Sequence, residues 1–170
     1  MDPSADPLRY WTKGTPMVPA APLVSCPIAT SLGVLGKKWA LLVIRDIAMR
    51  RTERFSELLG TIPGITPRVL SMRLKELEQA GIIRKVAQKR SPRLVRWNLT
   101  EMGWDALPIL MSYVAFGSKW YSKTVFADKR PRDVSAIYPQ ANLRPFEIDI
   151  GVADRDGNVA RVARRPAISD

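Results

Sequence analysis

The sequence has no histidine, and its 170 residues include a single cysteine, Cys26. Without histidine there are no histidine-based triads, no imidazole general bases and few routes to a zinc site. One cysteine builds neither an internal disulfide nor a cysteine-rich metal site. That fits a reducing compartment, and we place the chain in the cytoplasm, at the nucleoid. No glycine-rich loop of Walker or Rossmann spacing is present. Nor is there a run of about 18 apolar residues, so no membrane span is expected. The N-terminal stretch MDPSADPLRYWTKG lacks a basic start followed by an apolar segment and does not read as a secretory signal. No nucleophile–base pair or metal set is visible. We therefore expect no enzyme, no cofactor and no metal, with only carboxylate or lysine chemistry left open.

Acidic side chains are also scarce. Lys and Arg number 27 against 16 Asp and Glu, a net charge of +11. Residues 1–25 and 128–170 are nearly neutral, whereas residues 26–127 carry 17 basic and seven acidic groups. The excess therefore belongs to the middle of the chain. A basic folded segment points to a polyanion, first of all nucleic acid.

Three regions follow. Residues 1–25, rich in Pro and Ala, read as an irregular arm on which Leu8, Tyr10 and Trp11 are docking candidates. Residues 26–127 read as the folded domain. Residues 128–170 are an extension whose stretch PFEIDIGVADRDGNVARVARR suggests a second β-hairpin. Its Asp149, Asp154 and Asp156 do not spell a calcium loop, and a solvated turn is the plainer reading.

Within the domain, Pro27 opens a short helix that Gly36 ends. A second helix is expected from Lys38 to Met49; Leu41, Leu42, Ile44 and Ile47, with Trp39, cover so much of its circumference that it should be central. RRTERF follows as a short strand or extended link. Ser56 is expected to cap a short third helix, ELLGTI, and PGIT is a turn. A fourth helix starts with Thr66 as N-cap and Pro67 at its first position, and it stops at Gly81. Val95, Trp97 and Leu99 alternate with Arg96 and Asn98, so IIRKVAQKRSPRLVRWNLT reads as a hairpin turning at QKRSPR. Thr100 then caps one long helix through residue 126, kinked where Pro108 removes a hydrogen bond. Leu107, Leu110, Met111 and Val114 make its apolar side, which Tyr121 would extend.

This order of helices followed by a hairpin is that of a winged helix-turn-helix, mainly α with a small β wing. Such a domain places its second helix-turn-helix member in the DNA major groove. At about 100° per residue, Leu70, Leu74 and Leu77 of the fourth helix face the core, while Arg68, Ser71, Met72, Lys75 and Gln79 face out. Arg grips guanine with two hydrogen bonds, Ser reaches base edges or phosphates, and Met touches a thymine methyl. The bland alternative is an ordinary solvated face. Nine basic residues weigh against it: Arg68, Arg73, Lys75, Arg84, Lys85, Lys89, Arg90, Arg93 and Arg96. Only Glu76 and Glu78 oppose them between residues 66 and 96. Arg68 would then meet DNA and not merely oppose its own helix dipole. Ser56 and Thr66 join the DNA-contacting candidates, with Lys89, Arg90 and Arg93 as phosphate clamps at the wing tip.

The stretches CPI, GKKW, RFSEL, PGIT, LKELE followed by GII, and LTE to PIL resemble the HxlR-type winged-helix transcriptional regulators. The match runs from Cys26 to about Trp120. The resemblance implies a homodimeric DNA-binding repressor or activator on a pseudo-palindromic operator. It also implies a dimer built by the N-terminal helix and the long helix after the wing. Two features depart from the family: a more basic wing tip, and a chain that continues well past the usual end. Some members resemble redox or electrophile sensors that use a thiol at the place of Cys26. Here Cys26 stands at a helix start, where the dipole favours negative charge, with Lys37 or Lys38 of either protomer as candidate helpers. Its bland alternative is a small buried hydrophobe. Trp39, Trp104, Phe116 and Trp120 are candidates to line a small-molecule effector pocket, though core and interface packing explains them more simply. A different class of function, a winged helix that scaffolds proteins without reading DNA, would not need the basic outward set.

Overall fold

The structure, a computed structural model, describes residue 19, residues 22–88 and residues 91–139. The side chains of residues 87–88 and 91–94 lie outside that description. So do most of the N-terminal arm, with Leu8, Tyr10 and Trp11, and the second hairpin expected over residues 145–165. The elements are α1 (Pro27–Leu35), α2 (Ala40–Met49), α3 (Phe55–Thr61), α4 (Pro67–Gln79), β1 (Ile83–Gln88), β2 (Ser91–Leu99), α5 (Glu101–Asp105), α6 (Leu107–Trp120), α7 (Ser122–Val125) and α8 (Val134–Ile137). The protein is thus mainly helical with a small two-stranded antiparallel sheet.

α2 is the hub, packing against α1, α3, α4, β2 and α6. Its Val43, Ile44 and Ile47 meet Leu58 of α3, Leu70, Leu74 and Leu77 of α4, Ile83 of β1, Trp97 and Leu99 of β2, and Leu110 and Met111 of α6 in one core. Each fully buried Leu or Ile side chain is worth roughly 1.5–3 kcal/mol. α2 also buries a charge: Asp46 is fully buried, with Arg45 Nε at 2.6 Å and Arg50 Nε at 3.6 Å. The Asp46 carbonyl accepts from the Arg50 and Thr52 N–H groups, which turns the chain toward α3.

α2 starts at Ala40, two residues later than its sequence suggests. Trp39 lies in the left-handed region at φ 78°, which breaks the helical path and sets α1 and α2 at 74° to each other. A bulky residue there carries strain on the order of 1–3 kcal/mol. RRTERF is a link with a single sheet-like bond, from the Trp97 N–H to the Glu53 carbonyl at 2.8 Å.

The expected long helix after the wing is three helices. α5 ends at Asp105, and Ala106 joins it to α6. Pro108 is the second residue of α6, where its missing N–H would have had no intrahelical partner. It therefore removes no bond. Tyr121 is exposed and does not extend the apolar side. Beyond Phe126 the chain doubles back. The Arg132 N–H donates to Ser118 Oγ at 2.9 Å, and that hydroxyl donates to the Arg132 carbonyl. Arg132 also makes two bonds to Asp128 and lies 4.4 Å from the Phe126 ring centre. The Arg130 N–H, then the Arg132 guanidinium, hold the Asp128 carboxyl below its ordinary range. This clip seats α8 on α6, with Val134 packed against the core. No single described helix is long and apolar enough to cross a membrane.

Candidate nucleic-acid interface

α4 is defined at both ends by local chemistry. Thr66 Oγ1 accepts from the Val69 N–H at 3.3 Å, and Pro67 follows as the first helical residue. At the other end the Ile82 N–H reaches the Leu77 carbonyl and the Gly81 N–H reaches that of Glu78. Gly81 takes φ 76°, the left-handed cap that closes a Schellman motif. Thr100 fastens this end: its N–H donates to the Ile82 carbonyl, and its hydroxyl lies within bonding reach of the Gly81 and Ile82 carbonyls.

Between those caps Leu70, Leu74 and Leu77 are buried. Arg68, Ser71, Met72, Lys75 and Gln79 are all exposed, so the five outward candidates share one face. Among the described residues neither Arg68 nor Lys75 forms an ion pair, nor does Arg84.

The other cations are not free in this way. Arg73 points inward and pairs with Glu76, which also meets Lys37 at 3.3 Å. Lys85 bonds Glu78 at 2.9 Å and sits 5.0 Å from the Trp97 ring centre. Arg96 reaches Glu53 at 3.3 Å. The count of nine basic groups therefore overstates the charge presented outward. Glu76 and Glu78, read as weak opposition to a basic face, are the anchors that tie down two of its cations, Arg73 and Lys85, and Lys37 from outside it.

Ser56 is exposed, but it is not the cap expected of it. α3 begins at Phe55 behind Arg54, because Glu57 Oε2 accepts from both the Glu53 and Arg54 N–H groups at 3.1 and 3.0 Å. That carboxylate satisfies the helix start one turn back and leaves Ser56 inside the helix. The wing is a hairpin in the register Ile83↔Leu99 to Ala87↔Val95, with an irregularity between Ala87 and Gln88. Lys89 and Arg90 at its tip, and the side chain of Arg93, lie outside the described residues.

Between α3, α4 and the wing strands opens a cleft of about 390 Å³ lined by Phe55, Ser71, Leu74, Lys75, Glu78, Gln79, Lys85 and Trp97. Phe55 is a residue of this face that sequence reasoning passed over. It is 37% exposed at the head of α3, beside the outward row of α4. The signal was an aromatic directly after a basic, otherwise polar link.

Cys26 is exposed, so it is not a buried hydrophobe. It stands just before α1, and its carbonyl accepts from the Thr30 N–H and hydroxyl. Lys37 and Lys38 stand past the far end of α1, roughly 16 Å away at the helical rise, and assist no thiol in the same protomer. The four aromatic candidates divide. Trp39 and Trp104 pack on the core, whereas Phe116 and Trp120 are exposed. Phe116 and Trp120 continue a row with Ile109 and Tyr113 along α6, and Ile28 and Leu32 of α1 are exposed as well. A groove of about 310 Å³ runs between these helices, bounded by Ile28, Leu32, Leu35, Leu41, Ile109 and Tyr113 among others. No group of carboxylates and thiols that could hold a metal occurs among the described residues.

The sequence profile described as HxlR-like helix-turn-helix matches residues 34–125. The uncharacterized HTH-type transcriptional regulator sll1512 of Synechocystis sp. is 34% identical over 95 residues, covering 56% of this chain and 70% of that protein. The uncharacterized HTH-type regulator YdeP of Bacillus subtilis is 33% identical over 95 residues, covering 56% and 73%. Among solved structures, a transcriptional regulator of the MarR family from Porphyromonas gingivalis W83 superposes with a TM-score of 0.51 at 32% identity. The alignment covers 59% of this chain and 97% of that one.

Proposed function

Because the chain belongs to the HxlR-like helix-turn-helix family and is a transcriptional regulator, not an enzyme, we propose that it acts as a homodimer that reads a pseudo-palindromic DNA operator. α4 enters the major groove, and the hairpin lies on the backbone. The observation that carries this reading is the outward face of α4. Arg68 and Lys75 stand exposed there without ion pairs among the described residues, while Arg73, Lys85 and Arg96 nearby are tied to carboxylates. Free Arg and Lys beside Ser and Met form a donor-and-methyl set suited to base edges. Lys89, Arg90 and Arg93 act as phosphate clamps, and Ser56 and Thr66 at the heads of α3 and α4 as backbone contacts.

The second copy covers the apolar row Ile109, Tyr113, Phe116 and Trp120, together with the exposed side of α1. Spacings of four, three and four residues along α6 make the seam along which two helices pack. Cys26, exposed at the head of the same α1, is the regulatory thiol in this reading; its oxidation or alkylation shifts the dimer and hence DNA affinity.

Selection of bound sites from random duplex DNA tests the proposal, first with reduced protein and then with oxidant. Paired half-sites about one helical turn apart are expected. Recovery of no motif, with binding equal on all sequences or absent, would point to a protein scaffold and overturn it. An oxidant response that survives Cys26→Ser would remove the thiol from the scheme.

A further inference from the structure

The corner between α1 and α2 lies beside the turn that leads into α4 and meets the last turn of α4 itself. Gly36 to Trp39 turn the chain through 74°, and Trp39 does so at φ 78°, a conformation that Gly or Asn adopts far more readily than Trp. The ring explains why a tryptophan is held there. Its Cη2 lies 3.6 Å from where a Cβ on Gly64 would stand, and Gly64, at φ 80°, is the turn between α3 and α4. Lys38 Nζ lies 4.8 Å from the centre of the same ring. Lys37 Nζ meets Glu76 Oε1 at 3.3 Å in the last turn of α4, and Glu76 also holds Arg73. One strained corner thus bears on the turn that aims α4 and on the helix end that fixes its roll.

We propose that Trp39 and Lys37 are positioning residues for α4. They set the angle at which Arg68, Ser71, Met72 and Lys75 are presented, and they make that angle depend on where α1 lies. The inference rests on the reading of α4 as the DNA-reading helix. Base readout needs donors aligned with fixed base edges, whereas phosphate contacts tolerate displacement. A loosened corner should therefore cost discrimination between sequences and not attraction to DNA in general.

The test uses the full chain with Trp39→Leu, Lys37→Ala and the conservative Lys37→Arg. Amide hydrogen exchange is measured on the free protein. Affinity is measured for the DNA site the wild type selects and for a scrambled duplex. In Trp39→Leu, exchange is expected to rise over residues 63–70 and to hold steady in α2 and α6. Its selected-to-scrambled affinity ratio should fall by about tenfold, the worth of one misaligned base contact, with scrambled-DNA affinity unchanged. Lys37→Ala, a change at a half-exposed surface lysine, should lower the same ratio more mildly, and Lys37→Arg should keep it. Exchange that rises evenly through the core, or affinities that fall together for both duplexes, would make Trp39 a mere packing residue and overturn the proposal. Localised exchange in a protein whose wild type does not discriminate would leave the mechanical link standing and remove the DNA-reading premise instead.

Discussion

Arg68 stands in the first turn of α4, where its charge opposes the helix dipole at a cost of about 0.3–1 kcal/mol, and no carboxylate among the described residues pairs with it to offset that. Its compensation, on the proposed function, is a base edge. Arg68→Ala should lose about 1–3 kcal/mol on the selected site and relax preference at one position. A filter-binding comparison with random DNA checks this, since equal losses on both would assign Arg68 to the backbone. Gly103 makes a stability prediction. A Cβ there would run into the Ile82 carbonyl of the main chain and crowd Leu99 Cβ at 3.2 Å. Gly103→Ala should destabilise by about 1–3 kcal/mol through overpacking, read as a lower urea midpoint at unchanged slope. Residues that act within their own turn were legible in advance: Thr66, Pro67 and Gly81 bound α4 through bonds to neighbours. The pairing of Arg73 with Glu76, three residues on in α4, is of the same local kind, whereas Lys85 and Arg96 were not legible, because their partners Glu78 and Glu53 are brought to them by packing between elements. Trp39 was still less so, since nothing local marks a tryptophan for positive φ.

At the scale of elements, α4 and the wing follow from periodicity, and α3 and α6 show where periodicity falls short. The start of α3 was misplaced because Ser is a good cap in general, whereas here Glu57 satisfies the N–H groups of Glu53 and Arg54. Pro108 reads as a kink if the helix is assumed continuous, but a proline near a helix start fits without loss, and the break lies at Ala106. The row of Ile109, Tyr113, Phe116 and Trp120 has its own consequence. Phe116 is 55% exposed and far from the core side of α6, so Phe116→Asp should leave the monomer folded and break the proposed dimer. Light scattering should then report half the wild-type mass with an unchanged far-UV spectrum. A dimer that persists would move the interface elsewhere.

Over the whole molecule, the 27 basic groups exceed the cations free to meet phosphate, since ion pairs within the fold occupy Arg73, Lys85, Arg96 and Lys37. DNA affinity should therefore fall with salt less steeply than the sequence count suggests. Lys89→Ala or Arg90→Ala should each weaken binding to all sequences alike and reduce the salt slope by about one. Titrations at several salt concentrations would read both effects. The return of the chain along α6 has a consequence for where this protein can be divided. Ser118 is 2% exposed, and both bonds of its hydroxyl go to Arg132, seven residues past the Val125 at which the family match stops. A chain trimmed at that boundary would leave a buried hydroxyl without its partner and uncover the seat of Val134, so it should melt earlier than one trimmed after Pro139. The stretch beyond the family match thus carries part of the folded domain's own packing.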